Sequence, residues 1–295
     1  MEFMDHNSED IRKLTEALIN DSVEFRVKII NVPRASSIDK ACMRMHVLMA
    51  KHSGSLRKKE VLEFNSRLTF AWGDALHSMI QNTEIVVRDS IKRGWWRCMA
   101  CNTVLGFGRS PKKDFKCTKC GAFREAITYH EHFMDVRDPF YLTGHPDIFL
   151  ELQDSVLTVG ELKSINKDSF KKLEKPLGEH VLQATSYLIG IDKSVSGLKI
   201  PAKYKINTEY FIVIYITKEA LDRKTKAYKV FVVRRNPIFE GIVQEKLLAF
   251  KEGYDNFPEK LPECDAICAH NQFTTSVSKD CPAVIQCKKF FMEGK

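Results

Sequence analysis

The chain has 295 residues, 44% hydrophobic and 28% charged, with 46 Lys and Arg against 38 Asp and Glu for a formal net charge of +8. That length suits one large domain or two modest ones, and the apolar fraction is ordinary for a globular protein. No run approaches the roughly 18 apolar residues of a membrane span, and the polar start "MEFMDHNSEDIRK" has no apolar signal core, so a cytoplasmic protein with no membrane partner is expected.

In chain order, residues 8–20 ("SEDIRKLTEALIN") carry a Ser cap and helical spacing, and residues 36–50 ("SSIDKACMRMHVLMA") read as a second helix. Residues 61–90 contain "FNSRLTFAWGDALHSMIQ", an amphipathic helix. Residues 92–124 follow with nine Lys or Arg and one Asp; nine minus one is +8, so the rest of the chain is close to neutral and the excess points to a polyanionic partner. Within this stretch Cys98-x2-Cys101 and Cys117-x2-Cys120 are separated by 15 residues. Two such knuckles present four thiolates to one Zn2+ in a tetrahedral ribbon site. Trp95, Trp96 and Phe107 lie among the cations, where they either stack nucleic-acid bases or pack the ribbon against a core.

Residues 144–164, "GHPDIFLELQDSVLTVGELKS", form two β-runs about a "QDS" turn. A Lys-rich loop, the helix "HVLQATSYLIGI", the strands "EYFIVIYIT" and "KAYKVFVVRR", a helix over 236–255 and a cysteine-bearing tail complete the chain. This order predicts an α/β protein with a small mixed central sheet flanked by helices. The expected divisions are a helical region over 1–91, the ribbon over 92–126, the core over 127–255 and the tail over 256–295.

The hairpin holds the chemistry. Residues two apart on a strand share a face, so Glu161 and Lys163 project together, and pairing across the turn brings Asp147 beside Glu161. Two converging carboxylates make a site for Mg2+, with a lysine at hand for a water or a developing charge. The plain alternative is the solvated face of an ordinary strand. Three more pairs accompany this one: Gly73 and His77 four apart on a helix, Gly144 three before Asp147, and Gln183 and Tyr187 four apart on another helix.

These four motifs, G-x-x-x-H, G-x-x-D, E-x-K and Q-x-x-x-Y, resemble in order and type the RecB-like branch of the PD-(D/E)XK nucleases, the branch of AddB, CRISPR-associated nucleases and phage exonucleases. The resemblance implies a restriction-endonuclease-like core. It implies one or two Mg2+ or Mn2+ ions held by His77, Asp147, Glu161 and the carbonyl of Leu162, a water oriented by Lys163, and DNA backbone contacts from Gln183 and Tyr187. Glu131 stands where some relatives carry an extra acid. The family also draws one cysteine from a helix before the core and three from the tail; Cys42 and Cys268, Cys281 and Cys287 match that arrangement, with wider tail spacing than many relatives and Cys264 as a surplus candidate. These imply a structural [4Fe–4S] cluster, with zinc as the alternative. The implied activity is a metal-dependent deoxyribonuclease, an exonuclease on single-stranded or processed ends in phage or prokaryotic recombination, replication or repair. A separate helicase or recombination protein would be its partner, since no P-loop motif is present. A non-cutting DNA-binding module and a structure-selective endonuclease are the rival readings.

Overall fold

A computed structural model describes residues 23–26, 32–39, 42–52, 59–62, 64–83, 87–88, 90–219, 225–264, 268, 281 and 283–292. The helix expected over 8–20 lies outside these residues. In chain order the elements are β1 (Val23–Arg26), α1 (Met43–Lys51), β2 (Lys59–Leu62), α2 (Phe64–Asn82), β3 (Lys92–Cys98), β4 (Thr103–Gly108), β5 (Ile127–His130), β6 (Met134–Val136), β7 (Leu142–Gly144), β8 (Ile148–Gln153) and β9 (Val156–Ile165). They continue with α3 (Lys167–Lys172), α4 (Gly178–Gly190), β10 (Lys205–Ile206), β11 (Tyr210–Thr217), β12 (Tyr228–Arg234), α5 (Pro237–Asp255) and α6 (Val284–Met292). The helix expected over 36–50 is instead a 3-10 turn at Ala35–Ser37 followed by α1, which starts after Cys42. Among the described residues, no helix is long and apolar enough to cross a membrane.

The main sheet runs β12-β11-β9-β8-β3-β4, with β10 on β9 and β5 on β3. β9 and β11 are parallel while β8 and β9 form the antiparallel hairpin, so the sheet is mixed, as the order of elements predicted. The two-residue alternation of the strands explains how it is covered. Phe149, Leu157, Val159, Phe211, Val213 and Tyr215 turn to one face and pack with Val181, Ala184 and Leu188 of α4 and Val243, Leu247 and Phe250 of α5. Ile148, Leu150, Leu162, Ile212, Ile214 and Ile216 turn to the other and meet Ile80 and Leu76 of α2. Asn236 caps α5, its side chain accepting from the Ile238 amide at 2.8 Å, with Pro237 in the first turn where its missing N–H costs nothing.

β3 belongs to two substructures at once. Its first residues, Lys92 and Arg93, pair with β8 of the main sheet, while Trp95–Cys98 pair with both β4 and β5 of the cysteine-bearing element. Lys92 and Arg93 are 0% and 2% exposed, so two of the nine cations in this stretch serve the interior. The Lys92 ammonium donates to the carbonyls of Ile80 (3.2 Å) and Thr83 (2.9 Å), satisfying the end of α2 where cations are favoured by the helix dipole. Arg93 donates to the carbonyls of Ser90 and Lys92 and pairs with Glu151.

The tryptophans resolve to packing. Trp95 and Trp96 are 8% and 3% exposed; Trp95 sits edge-on to Phe107 with its N–H directed to His132 Nδ1, and Trp96 sits edge-on to Tyr129 with its N–H bonded to the Gly108 carbonyl. Neither presents a ring face for stacking, because the strand that carries them is buried on both sides.

Candidate functional site

The four motif pairs expected from the sequence converge at the end of the hairpin. β8 begins at Ile148, opposite Gly160, so Asp147 stands just before the strand and beside Glu161. There the Leu162 amide, with no β8 backbone carbonyl opposite it, donates to Asp147 Oδ2 at 2.7 Å, leaving Oδ1 turned towards His77, whose Nδ1 is 3.5 Å away. His77 arrives from α2 on the other side of the hairpin. His77, Asp147 and Glu131 each offer a ligand atom within 4.8 Å of the others and could together hold a metal ion; Glu161, expected from the sequence as the third ligand, is not part of that group.

Glu161 faces α4, as its alternation with Leu162 requires. Its Oε1 accepts from Lys163 Nζ and Gln183 Nε2, both at 2.7 Å. Gln183 binds in turn to the Tyr187 hydroxyl at 2.9 Å and accepts from Lys163 at 2.8 Å, and the Tyr187 hydroxyl donates to the His145 carbonyl at 3.1 Å. Gln183 and Tyr187 are 6% and 1% exposed, so their polar atoms are spent inside the protein, fixing Glu161 and Lys163. The other oxygen of Glu161, Oε2, is buried and has no hydrogen-bond partner.

The electrostatics describe a site short of positive charge. Burial, and then the neighbouring Glu131, push the Asp147 carboxyl up to about 7. Burial, and then Asp147, push the Glu161 carboxyl up to about 8. Lys163 and the amide of Leu162 only partly oppose this. Carboxylates gathered at this depth with one oxygen unpartnered fit a divalent cation, whose charge would offset the cost of ionising them. His77, Glu131, Asp147, Glu161, Lys163, Gln183 and Tyr187 line a cleft of about 600 Å³ that also receives Arg34, Phe133, Arg137 and His145.

Two contributors have weaker sequence signals. Gln81, one helical turn beyond His77, donates to Glu131 at 2.9 Å and to the Asp147 carbonyl at 3.0 Å; its spacing from His77 was the available clue. Arg34 comes from a segment far upstream with no spacing to mark it.

The knuckle cysteines form a second centre. Cys98–Cys120 and Cys101–Cys117 sulfurs are 3.7 Å apart, and all four lie within 4.8 Å of one another. A tetrahedron of sulfurs ~2.3 Å from a zinc ion has edges of about 3.8 Å, so the four can hold such an ion. The Thr103 hydroxyl lowers the Cys101 thiol, while Cys120 is raised by burial and by the neighbouring sulfurs, so it is the sulfur geometry that points to a metal.

The tail cysteines meet α1. Cys264 and Cys287 sulfurs are 3.6 Å apart, and Cys287 packs with Leu48 and Ala283. Burial raises the Cys264 thiol to about 12, with Cys287 and Cys42 adding to it, and burial raises Cys281 with contributions from Cys42, Cys268 and Cys264. The surplus cysteine of the sequence, Cys264, is in direct contact with Cys287; among the described residues the tail thiols do not form a group of three within 4.8 Å as the knuckle cysteines do.

No family model and no curated protein matches the chain. Among solved structures it is similar to an alkaline exonuclease from Laribacter hongkongensis (LHK-Exo), at 11% identity, 77% coverage of this chain and 89% of that one, with a TM-score of 0.40. The same exonuclease in complex with dAMP matches at 11% identity over 76% and 88% of the two chains, also at 0.40. SSO0001 matches at 14% identity over 96% and 97%, with a TM-score of 0.38. These likenesses are remote, and the chemistry of the site is decided by its own residues.

Proposed function

We propose that the chain is a divalent-metal-dependent deoxyribonuclease of the PD-(D/E)XK type, acting as an exonuclease on single-stranded or processed DNA ends. The observation that carries this reading is the convergence, at the floor of an open cleft, of His77, Glu131 and Asp147 with the half-satisfied carboxylate of Glu161 and the ammonium of Lys163. His77, Asp147 and Glu161 are the proposed cation ligands, joined by Glu131. The Leu162 carbonyl is a further ligand: in an extended residue it leaves the strand on the same edge as the N–H, which here points to Asp147. The imidazole favours Mn2+ over Mg2+. A cation there supplies polarisation of a phosphoryl oxygen and a water of lowered pKa.

The protein's own residues do the rest. Lys163, held between Glu161 and Gln183, neutralises charge as water adds to phosphorus and the P–O bond to the leaving nucleotide breaks. Gln183 and Tyr187 are positioning residues: their chain of hydrogen bonds from Glu161 to the His145 carbonyl fixes the ligand and the lysine in one geometry. The ribbon cysteines are the proposed zinc site, and Cys42, Cys268, Cys281 and Cys287, with Cys264 adjoining, the proposed site of a structural iron–sulfur cluster. Exposed Arg109, Lys112, Lys113, Lys116 and Lys119 give the ribbon a phosphate-seeking face.

Purified protein with Mn2+ should degrade labelled DNA, releasing nucleotides from linear strands and leaving circles intact, and Lys163→Ala should abolish cleavage while retaining binding. Undiminished cleavage by that variant removes the assignment; cleavage of circles makes the enzyme an endonuclease, and binding without cleavage by the wild type makes it a DNA-binding module.

A further inference from the structure

The cleft carries a feature that cation chemistry does not use. Phe133, 38% exposed, stands on the segment joining β5 to β6, and its ring lies 5.1 Å from that of His145, tilted by 35°. Both rings line the cleft, and both side chains reach its solvent-exposed part. Each sits two residues from a carboxylate of the cation site, Phe133 from Glu131 and His145 from Asp147. So short a separation in the chain keeps both rings near the cation site, on the scale of one nucleotide. Exposed Arg34 lines the same cleft, as does Arg137, which is steadied by a 3.0 Å bond from its Nη2 to Asp135 Oδ2. An aromatic ring and guanidinium groups lining one cleft match a base and the phosphates on either side of it.

We propose that Phe133, backed by His145, is the stacking platform for the unpaired base of the nucleotide flanking the scissile phosphate, with Arg34 and Arg137 holding the adjoining phosphate. This rests on the nuclease reading and sharpens it: a base within a duplex has both faces covered by its neighbours, so a platform here selects strands whose terminal bases are unstacked. It also relocates the aromatic contact to nucleic acid from the buried ribbon tryptophans to the wall of the cleft.

The test uses the full chain in the cleavage-deficient Lys163→Ala background and single-stranded oligonucleotides in which one abasic site is walked along the strand. Affinity is read by fluorescence anisotropy. One abasic position should weaken binding roughly 5- to 150-fold, the range of a single base–aromatic stack. Adding Phe133→Ala should flatten that dependence, and Phe133→Trp should retain it. Arg34→Ala should weaken all the strands alike and reduce the salt slope by about 1. A penalty from Phe133→Ala that is the same for every strand, or no sensitive position at all, overturns the proposal. Failure of the nuclease reading would appear elsewhere, as absent cleavage by the wild type or full cleavage by Lys163→Ala.

Discussion

Two glycines of the motifs behave differently in the folded chain. A Cβ on Gly144 would come within 2.7 Å of Tyr187 Cε1 and 3.1 Å of Ala35 Cβ, displacing the ring whose hydroxyl ties Gln183 to the His145 carbonyl. Gly144→Ala is therefore expected to cost about 1–3 kcal/mol by overpacking and to lower kcat well beyond any change in substrate affinity, as steady-state kinetics and thermal melts would measure. A Cβ on Gly73 would meet only Ser164 Oγ, at an ordinary 3.6 Å. Gly73→Ala should leave cleavage intact and raise stability by about 0.5–1 kcal/mol, since alanine is the better helix former; a large loss of activity would show that the substrate, not the fold, needs the glycine. Buried titratable groups pull in opposite directions in acid. Burial lowers His46 and His132 from 6.5 to about 4, with Lys246 adding at His46 and His145 at His132. Each is neutral in the fold and takes up its proton first in the unfolded chain, so its contribution is whole above pH 6.5 and is lost towards 4, by about 3 kcal/mol for each at the lower limit. Asp147 and Glu161, raised to about 7 and about 8, take up protons first in the fold and oppose that loss over the same window. The histidine contribution is therefore read as a difference: in denaturant melts, His46→Asn should lose less stability than the wild type between pH 6.5 and 4.

At the scale of elements, the cysteine-bearing unit and the sheet share β3, so a metal held by the four cysteines would matter beyond the unit. Cys117→Ser should release one zinc per chain by elemental analysis, lower Tm and weaken Mn2+ affinity measured by calorimetry; retained zinc would exclude the four-sulfur site. Lys92→Met should weaken Mn2+ binding by the other route, freeing the end of α2 one turn beyond His77 at a stability cost of about 2 kcal/mol. Much of this level was legible beforehand. The hairpin, α4, β11 and the histidine-bearing helix announce themselves through period-2 and period-3.6 patterns, and the approach of Asp147 to Glu161 and Lys163 follows from strand spacing once the hairpin is paired; that Gln183 and Tyr187 join them was implied only by the family resemblance. What stayed hidden was set by tertiary pairing. Nothing local tells that Lys92 ends a helix ten residues earlier, that Trp95 and Trp96 enter a strand covered on both sides, or that Arg34 reaches the cleft, because each depends on an element distant in the chain. Glu131 was marked only by the resemblance, as the extra acid some relatives carry; its place in the ligand group comes from β5 pairing with β3.

For the whole molecule, the early helix α1 packs against α5 and α6, and the tail sulfurs gather where they meet. Cys287, buried against Leu48 and Ala283, is the tail cysteine whose loss should be felt most. Cys287→Ser is expected to empty the proposed tail site and to lower Tm by loosening both ends of the described chain together. Anaerobically purified wild type should carry iron and absorb visible light; protein free of both iron and a second zinc would remove the tail site altogether. The shared strand has one more consequence. It is fastened at one end by four sulfurs and at the other by an ammonium gripping the helix of His77, so it works as a tie-rod across the molecule. Slackening at the thiol end would reach the imidazole as a loss of footing before the body of the protein gave way, which yokes the upkeep of a remote knuckle to the alignment of the proposed cation ligands.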